Sequence, residues 1–211
     1  LIDDEEDRVT ELSGEGVDTV ITSQESYTLG ANVENLVLIG NGENGTGNEL
    51  ANTLTGNNAG NTLRGMAGAD TLDGRAGTDR LIGGLGNDTY VLGRGYATDT
   101  IQENDATAGN TDVAQFLAGI AVDQLWFQHA GNNLEVSIIG GGDKFVVQNW
   151  YSGSAYRVEQ FKTADNRLLL DTQVENLVQA MAAFAPPAAG QTTLPQNYYD
   201  ALAPVIAANW Q

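Results

Sequence analysis

The sequence predicts a mainly β fold: a parallel β-roll built from short repeats, then a β-hairpin-rich capping region and short C-terminal helices. Two observations predict it. A nine-residue pattern of glycine, acid or amide, and apolar residues recurs over residues 47–92, and glycine-turn hairpins follow it. Such fixed-period repeats are typical of solenoids, whose units bury their apolar positions against neighbouring units. We divide the chain into N-terminal strands (1–46), the roll (47–110), the capping region (111–171) and a helical tail (172–211).

The composition limits the functions that the chain can have. Acidic residues outnumber basic ones 28 to 9, which gives a formal net charge of -19. This charge argues against nucleic acid and anionic membrane surfaces as partners, and it disfavours a compact fold unless cations are bound. The chain has no cysteine, which excludes disulfides and thiolate metal sites, and no apolar run is long enough for a membrane span.

The N-terminal region is predicted to form strands that continue the same stack, because polar and apolar residues alternate within residues 1–46. The segment from Gly14 to Val20 repeats the glycine–acid–apolar rhythm, and Asp18 within it fits a metal ligand and a solvated turn equally well. The first six residues lack the charged and apolar regions of a signal peptide. We therefore expect the chain to be the C-terminal part of a longer protein.

The roll region contains five copies of the repeat in step. In each copy an apolar residue follows an acid or amide by two positions, and a glycine lies five positions before that acid or amide. The apolar residues are Leu54, Leu63, Leu72, Leu81 and Tyr90; the acids and amides are Asn52, Asn61, Asp70, Asp79 and Asp88; the glycines are Gly47, Gly56, Gly65, Gly74 and Gly83. The copy from Gly83 to Val91 matches G-G-x-G-x-D-x-U-x, a pattern typical of a calcium-binding parallel β-roll.

Turns of this composition can hold a cation between them. Neighbouring strands of a sheet lie about 4.8 Å apart, and calcium–oxygen distances are about 2.3–2.6 Å, so one ion can touch oxygens of two stacked turns. Glycine permits the positive φ angles that direct carbonyls towards the ion. The carboxylates supply charge and the apolar residues fill the interior, so the pattern predicts several Ca²⁺ ions.

Residues 47–92 resemble haemolysin-type, or RTX, repeats. The resemblance implies six-residue turns, three-residue strands, and stacking of turns two repeats apart. Asp70 and Asp88 then share one edge, and Asp79 shares the other with Asn61 and with Asp99, which ends a longer variant turn. The metal ligands implied by the resemblance, through carboxylates or main-chain carbonyls, are Gly65, Ala67, Asp70, Gly74, Ala76, Asp79, Gly84, Gly86, Asp88, Gly93, Gly95 and Asp99.

The first two copies depart from this pattern. Asn52 and Asn61 replace the aspartate, and Leu50 and Ala59 replace the fourth glycine. We expect these turns to continue the roll as a neutral asparagine ladder, with weak calcium binding or none.

The capping region is predicted to consist of hairpins. Strands flank the glycine turn of Leu125–Ile138, the turn Gly140–Asp143 leads into a strand from Lys144, and a last pair lies within Arg157–Leu170. The run from Leu125 to Tyr151 resembles the haemolysin-type-related segment that follows RTX repeats. The resemblance implies that it covers an otherwise exposed edge of the roll.

The tail, residues 172–211, has no Lys or Arg and only two acids. A capping box of Thr172 and Glu175 predicts one amphipathic helix, and Thr193 opens a second that Pro204 should shorten. An alanine-rich, uncharged tail after RTX repeats resembles the uncleaved signal of type I secretion, which implies the type I secretion machinery as a partner. Two helices packed on the β domain would account for the same composition, and both interpretations can hold together.

No catalytic motif is present. His129 is the single histidine, and we expect it on the surface of a strand. H-E-x-x-H, G-x-S-x-G and a cysteine nucleophile are absent. We therefore expect no enzyme activity in this chain, with any catalytic domain located upstream.

Three functions are compatible with these observations. In the first, a calcium-binding module folds outside the cell and supports type I secretion of a larger toxin, enzyme or adhesin. In the second, the chain belongs to a calcium-dependent adhesin or surface-layer protein, and in the third to an enzyme such as a polysaccharide-modifying protein. The resemblance implies a secreted or cell-surface protein of a Gram-negative bacterium, and the sequence leaves the oligomeric state open.

Overall fold

The structure is a computed structural model that describes residues 9–211. The predictions for residues 1–8, at the start of the N-terminal strands, lie outside these described residues. The strands are β1 (Thr19–Thr22), β2 (Ser26–Thr28), β3 (Asn35–Leu38), β4 (Asn44–Thr46), β5 (Thr53–Thr55), β6 (Thr62–Ala67), β7 (Thr71–Asp73), β8 (Arg80–Leu85), β9 (Thr89–Leu92), β10 (Thr98–Ile101), β11 (Val113–Phe116), β12 (Leu125–Ala130), β13 (Asn133–Ile138), β14 (Lys144–Val147), β15 (Gln160–Lys162) and β16 (Leu168–Leu170). The α-helices are α1 (Asp171–Met181) and α2 (Gln196–Asn209).

Successive strands of the roll alternate between two sheets. One sheet has the order β1-β3-β5-β7-β9-β11-β15-β16, and the other has the order β12-β13-β14-β10-β8-β6-β4-β2. From β1 to β11 all neighbours within a sheet are parallel, and Leu54 pairs with Leu72, which pairs with Tyr90. Each full coil of the chain therefore takes two nonapeptides. The predicted mainly β fold with a parallel β-roll is confirmed.

The core of the roll is one side chain deep. The apolar residue of each repeat points between the sheets and is fully buried: Leu54, Leu63, Leu72, Leu81 and Tyr90 are all 0% exposed. Burial of one such side chain contributes about 2 kcal/mol, while nine residues must be ordered to achieve it. The stability of the roll therefore depends strongly on the interactions made within and between its turns.

The capping region is built onto the same two sheets. β11 and then β15 add in parallel beside β9, and β14 adds in parallel beside β10. The predicted hairpins are present: β12 pairs antiparallel with β13, β13 with β14, and β15 with β16. The sheets thus continue past residue 110 without a break, and antiparallel strands end them.

The two helices lie against the cap, with bounds that differ from the predicted ones. α1 begins at Asp171, and the side chain of Gln173 accepts the Leu170 N–H at 3.1 Å, so the predicted capping box of Thr172 and Glu175 is wrong. The expected apolar face of α1 is buried, and it consists of Val174, Leu177, Val178 and Met181.

The second helix is longer than predicted. α2 begins after Pro195 and continues through Pro204 to Asn209, so the expectation that Pro204 shortens it is wrong. Pro204 is exposed, and the carbonyl that loses its hydrogen bond can be hydrated. Among the described residues, neither helix has the length and apolar character needed to cross a membrane.

Candidate metal centre

The sixth residues of the turns form two rows, one on each edge of the roll. In the first row, Asp70 donates its backbone N–H to Oδ1 of Asp88 at 2.9 Å. In the second, Asn61 donates to Oδ1 of Asp79 at 2.6 Å, and Asp79 donates to Oδ1 of Asp99 at 3.0 Å. The turns therefore stack as the repeat spacing predicts. In each of these aspartates one carboxylate oxygen is used to join two turns.

The other carboxylate oxygen of these aspartates has no donor. Oδ2 of Asp70, Asp79, Asp88 and Asp99 is buried and makes no hydrogen bond with the described residues. Each of the four side chains is at most 1% exposed. A buried carboxylate oxygen without a donor is costly in a folded protein. Four of them in two ordered rows provide a set of donors for cations.

The glycines that open the turns leave the space into which these oxygens point. An added Cβ at Gly65 would lie 2.1 Å from Oδ2 of Asp70 and 2.5 Å from the carbonyl oxygen of Gly83. At Gly74 it would lie 2.3 Å from Oδ2 of Asp79. Carboxylate and carbonyl oxygens of stacked turns thus converge where a side chain would otherwise stand. This oxygen-only donor set fits calcium, which takes six to eight oxygens in flexible geometry.

The second and fourth turn positions have the backbone conformation that the repeat requires. Gly84 and Gly86 have φ of 115° and 118°, and each lies directly over a carbonyl of the preceding stacked turn. Met66 and Arg75 occupy the second position without being glycine, and both keep a positive φ, of 88° and 64°. The turn conformation therefore survives these replacements.

The variant turn before Asp99 is less regular. Its contact with the preceding stacked turn is made by Ala97, which bridges Gly77. Gly93 packs against the ring of Tyr96 and the side chain of Leu117, while an added Cβ at Gly95 would meet nothing within 4 Å. The structure thus brings Asp99 into its row, but it places Gly95 at the open tip of a longer turn. Gly74 and Ala76, predicted as ligands with Asp79, lie in the turn that this one covers.

Burial raises the pKa values of the row aspartates, and repulsion between neighbouring carboxylates adds to the rise for Asp88 and Asp99. Burial raises the pKa of Asp70 to about 6, and burial together with the charges of Asp70 and Asp112 raises the pKa of Asp88 to about 7. The pKa of Asp99 is also raised, first by burial and then by the adjacent Asp79. These carboxyl groups are therefore held in an environment that favours either a proton or a bound cation.

The asparagine turns solve the same problem with a neutral group. Nδ2 of Asn61 donates to the carbonyl of Gly42 at 2.9 Å, and Nδ2 of Asn52 donates to the carbonyls of Val33 and Glu34 at 3.2 Å. Oδ1 of each asparagine faces the opening glycine, as Oδ2 of an aspartate does, and accepts the N–H of Asn48 at 2.7 Å in one turn and of Asn57 at 2.8 Å in the other. The geometry agrees with the predicted neutral ladder.

The first row is longer than the sequence predicts. Asp88 donates its N–H to Oδ1 of Asp112 at 2.8 Å, and Asp112 donates to Oε2 of Glu159 at 2.8 Å. At the other end, Asp18 donates to Oε2 of Glu34 at 2.8 Å. Inserted residues break the nine-residue period at these positions, but the motif of an acid followed by an apolar residue two positions later at Asp112 could have indicated the first of them.

A parallel β-roll with rows of buried turn carboxylates defines a class of cation-binding solenoid proteins. Comparison with protein families supports this class. The RTX calcium-binding nonapeptide repeat, in four copies, matches residues 55–90, and the haemolysin-type calcium binding protein related domain matches residues 133–172. The chain therefore contains RTX calcium-binding repeats, followed by the related domain.

Proposed function

We propose that this chain folds when calcium is bound outside the cell and supports type I secretion of a larger exported protein, namely a toxin, an enzyme or an adhesin. The observation that carries the proposal is the set of buried aspartate oxygens without donors. Such oxygens oppose folding when no cation is present. Calcium that binds only the folded chain removes this penalty, so the folded fraction depends on the calcium concentration.

The expected affinities suit a change between compartments. Extracellular calcium modules have dissociation constants of about 10⁻⁴–10⁻³ M. A calcium concentration ten times the dissociation constant stabilises the folded state by about 1.4 kcal/mol per site. At cytosolic concentrations such sites stay empty, and repulsion among 28 acidic residues keeps the chain loose enough for export.

The position of the tail supports the link to secretion. In the folded chain the Phe127 N–H donates to the sulfur of Met181 at 3.1 Å, and Gln211 pairs through its backbone with Leu168 at 2.9 Å in both directions. A secretion signal within residues 172–211 would be covered by these contacts. A chain kept unfolded by low calcium leaves the tail free for the exporter, which makes folding and export successive events.

Circular dichroism and thermal melting in calcium and in excess chelator test the folding part. We expect strand content and melting temperature to rise with calcium and to respond much less to magnesium, which demands a smaller and more regular oxygen shell. Equal strand content and equal melting temperature in calcium and in chelator would contradict the proposal.

Export from a host that carries a type I exporter tests the secretion part. Removal of residues 172–211 should leave the chain inside the cell, whereas the Gly65→Ala variant should still be exported, because it keeps the tail and destabilises only the roll. The fraction of each chain in the medium is measured. Full export of the truncated chain would contradict the secretion role while leaving calcium-dependent folding intact.

We assign no catalytic step to this chain. His129 lies exposed on β12, where its ring stacks on Tyr151 with centroids 3.7 Å apart, and its Nε2 is 2.7 Å from the carbonyl oxygen of Gly131. These contacts describe a surface histidine held by its neighbours. Assay of the chain with polysaccharide and peptide substrates tests the assignment, and calcium-dependent turnover of either would contradict it.

A further inference from the structure

A buried carboxylate that belongs to no repeat lies beside the first row, at the step from Asp88 to Asp112. Glu103 is 3% exposed, and its Oε2 is buried without a hydrogen-bond partner among the described residues. One carboxylate oxygen of Glu103, one of Asp88 and one of Asp112 all lie within 4.8 Å of one another. We call these three residues the terminal cluster. It lies where the regular repeat stops and the cap begins.

Tyr90 adapts the last repeat to this cluster. Beside Gly47, Gly56 and Gly65, the space in front of the opening glycine holds the carbonyl oxygen of the opening glycine of the next stacked turn, which for Gly65 is that of Gly83. Beside Gly83 that space holds the hydroxyl of Tyr90, which accepts the Gly83 N–H at 3.0 Å and donates to Oε1 of Glu103. Tyrosine therefore replaces the leucine of the other copies for a polar reason, since it fixes the orientation of Glu103.

The spacing of the three oxygens matches one coordination shell. Two ligands on opposite sides of a calcium ion are about 4.6–5.2 Å apart, twice the calcium–oxygen distance, and ligands on the same side are closer. Oxygens within 4.8 Å of one another can thus contact a single ion. Beside them, Asn110 donates to Oδ2 of Asp112 at 2.9 Å, and its own Oδ1 is buried without a partner.

We propose that Asp88, Glu103 and Asp112 form a further divalent-cation site, of the hard-oxygen type that takes calcium, at the junction between the roll and the cap. The site rests on the proposed calcium binding of the roll only through the shared residue Asp88. Glu103 and Asp112 lie outside the repeats, so this ion joins the last repeat turn to the segment that leads into β11. Cation binding at this site therefore couples the folding of the cap to the folding of the roll.

The electrostatics of the cluster agree with this assignment. Burial, followed by the charges of Asp112 and Asp88, raises the pKa of Glu103 to about 10. Neither of the two ion pairs among the described residues, Lys144–Glu135 and Arg157–Asp171, involves the cluster. Three carboxylates that approach this closely need a cation or added protons to coexist.

An ion count tests the proposal. Calcium bound per full chain is measured by equilibrium dialysis for the wild type, for Glu103→Gln and for Glu49→Gln, a matched change at an exposed carboxylate. We expect Glu103→Gln to bind one ion fewer than the other two. An unchanged count with unchanged affinity in Glu103→Gln overturns the terminal site and leaves the roll sites standing, whereas a wild type that binds no calcium overturns both.

A melting experiment covers the case in which Glu103→Gln does not fold in calcium. With excess chelator, the amide removes repulsion in the cluster and can still accept the Tyr90 hydroxyl, so its melting temperature should equal or exceed that of the wild type. In millimolar calcium it should fall below the wild type. A lower melting temperature in chelator as well as in calcium shows that Glu103 acts only through its hydrogen bond to Tyr90, and this result overturns the proposal.

Discussion

The asparagine turns and the aspartate turns of the roll have the same place in the fold and differ in how the side chain that ends each turn is hydrogen-bonded. In the turns ending at Asn52 and Asn61, the side-chain nitrogen donates to carbonyls of the preceding stacked turn. Oδ1 of these asparagines, beside the opening glycine, accepts a backbone N–H of its own turn, whereas Oδ2 of Asp70 and Asp88 in that place has no donor. The first kind of turn is complete without a ligand, whereas the second is complete only with a cation.

This difference divides the roll into a part that can fold without a bound cation and a conditional part, whose folding requires protons or cations. The asparagine turns are neutral, so the strands around β3 to β5 can form at any calcium concentration. The aspartate turns bring several buried carboxylates together, and they form only when protons or cations are supplied. The N-terminal part of the roll can thus act as a template on which the conditional part assembles.

Calcium removal should produce the largest difference between the aspartate turns and the asparagine turns. In excess chelator we expect the backbone amides of Thr71 and Thr89 to exchange with solvent at least about tenfold faster, since each filled site contributes about 1–2 kcal/mol. The amide of Thr53, which donates to the carbonyl of Glu34 at 2.9 Å, should change much less. Hydrogen exchange followed by mass spectrometry measures both. Equal loss of protection in the two kinds of turn would show that the roll unfolds as one unit.

Filling the space in front of an aspartate should have the next largest effect. Gly65→Ala places a methyl group 2.1 Å from Oδ2 of Asp70, and we expect the free energy of unfolding in calcium to fall by about 2–3 kcal/mol. The control is Gly142→Ala, because an added Cβ there meets nothing within 4 Å, and it should change stability by less than about 0.5 kcal/mol. Urea denaturation in millimolar calcium compares the two, and similar losses in both would speak against the proposed ligand position.

Exchange of asparagine and aspartate between the two kinds of turn should change stability in opposite directions. In excess chelator we expect Asp70→Asn to raise the free energy of unfolding by about 1–2 kcal/mol, because a neutral amide replaces a buried carboxylate whose Oδ2 has no donor. Asn52→Asp should lower it by a similar amount, since it loses the bonds to Val33 and Glu34 and adds a charge beside Asp70. Urea denaturation in chelator measures both. If the two variants shift stability in the same direction, the difference between the turns is not electrostatic.

The smallest expected effect is a dependence on pH in the absence of calcium. Because the pKa values of Asp70 and Asp88 are raised to about 6 and about 7, the folded chain binds more protons than the unfolded chain between about pH 4 and pH 7. Stability in chelator should therefore fall as the pH rises through this range, by a few degrees in melting temperature. In saturating calcium the fall should disappear, because the charged carboxylates are then the stable form. Melting curves at pH 5 and pH 8 check both conditions.

The regular part of the molecule could be predicted because its period is strict. A nine-residue spacing that holds from Gly47 to Val91 determines which residues are buried, which share an edge, and which strands pair. The hairpins of the cap were also predictable, since alternating strands flank glycine turns such as that before Lys144. These features depend on local patterns that are the same wherever they occur.

The end of the metal row could not be predicted in the same way. The inserted residues after Leu92 change the spacing, so Asp112 and Glu159 fall out of step with the repeat while the hydrogen-bond ladder still includes them. The repeat places Tyr90 at an apolar position, and Glu103 lies outside the repeats with no motif around it. The hydrogen bond from the Tyr90 hydroxyl to the Glu103 carboxylate is seen only in the structure.

The helix ends were mispredicted for a local reason. A capping box at Thr172 satisfies the sequence rule, but β16 leads directly into α1, so the helix begins at Asp171 before that box can act. Pro204 is tolerated within α2 because its face is exposed and tertiary contacts of Leu202 and Ile206 hold the helix on both sides. In both cases packing overrides a signal that would decide the outcome in an isolated peptide.

The hydrogen-bonded first row makes the roll a one-dimensional system. Its seven members, Asp18, Glu34, Asn52, Asp70, Asp88, Asp112 and Glu159, succeed one another with one strand spacing between neighbours, so the row is about 29 Å long. Each aspartate binds the turns on both sides of it, and the order of one turn therefore favours the order of the next. In such a row, calcium binding at one turn favours binding at the next. The cooperativity of binding therefore increases with the number of adjacent charged turns. The steepness of a calcium titration would thus report how many adjacent turns act together.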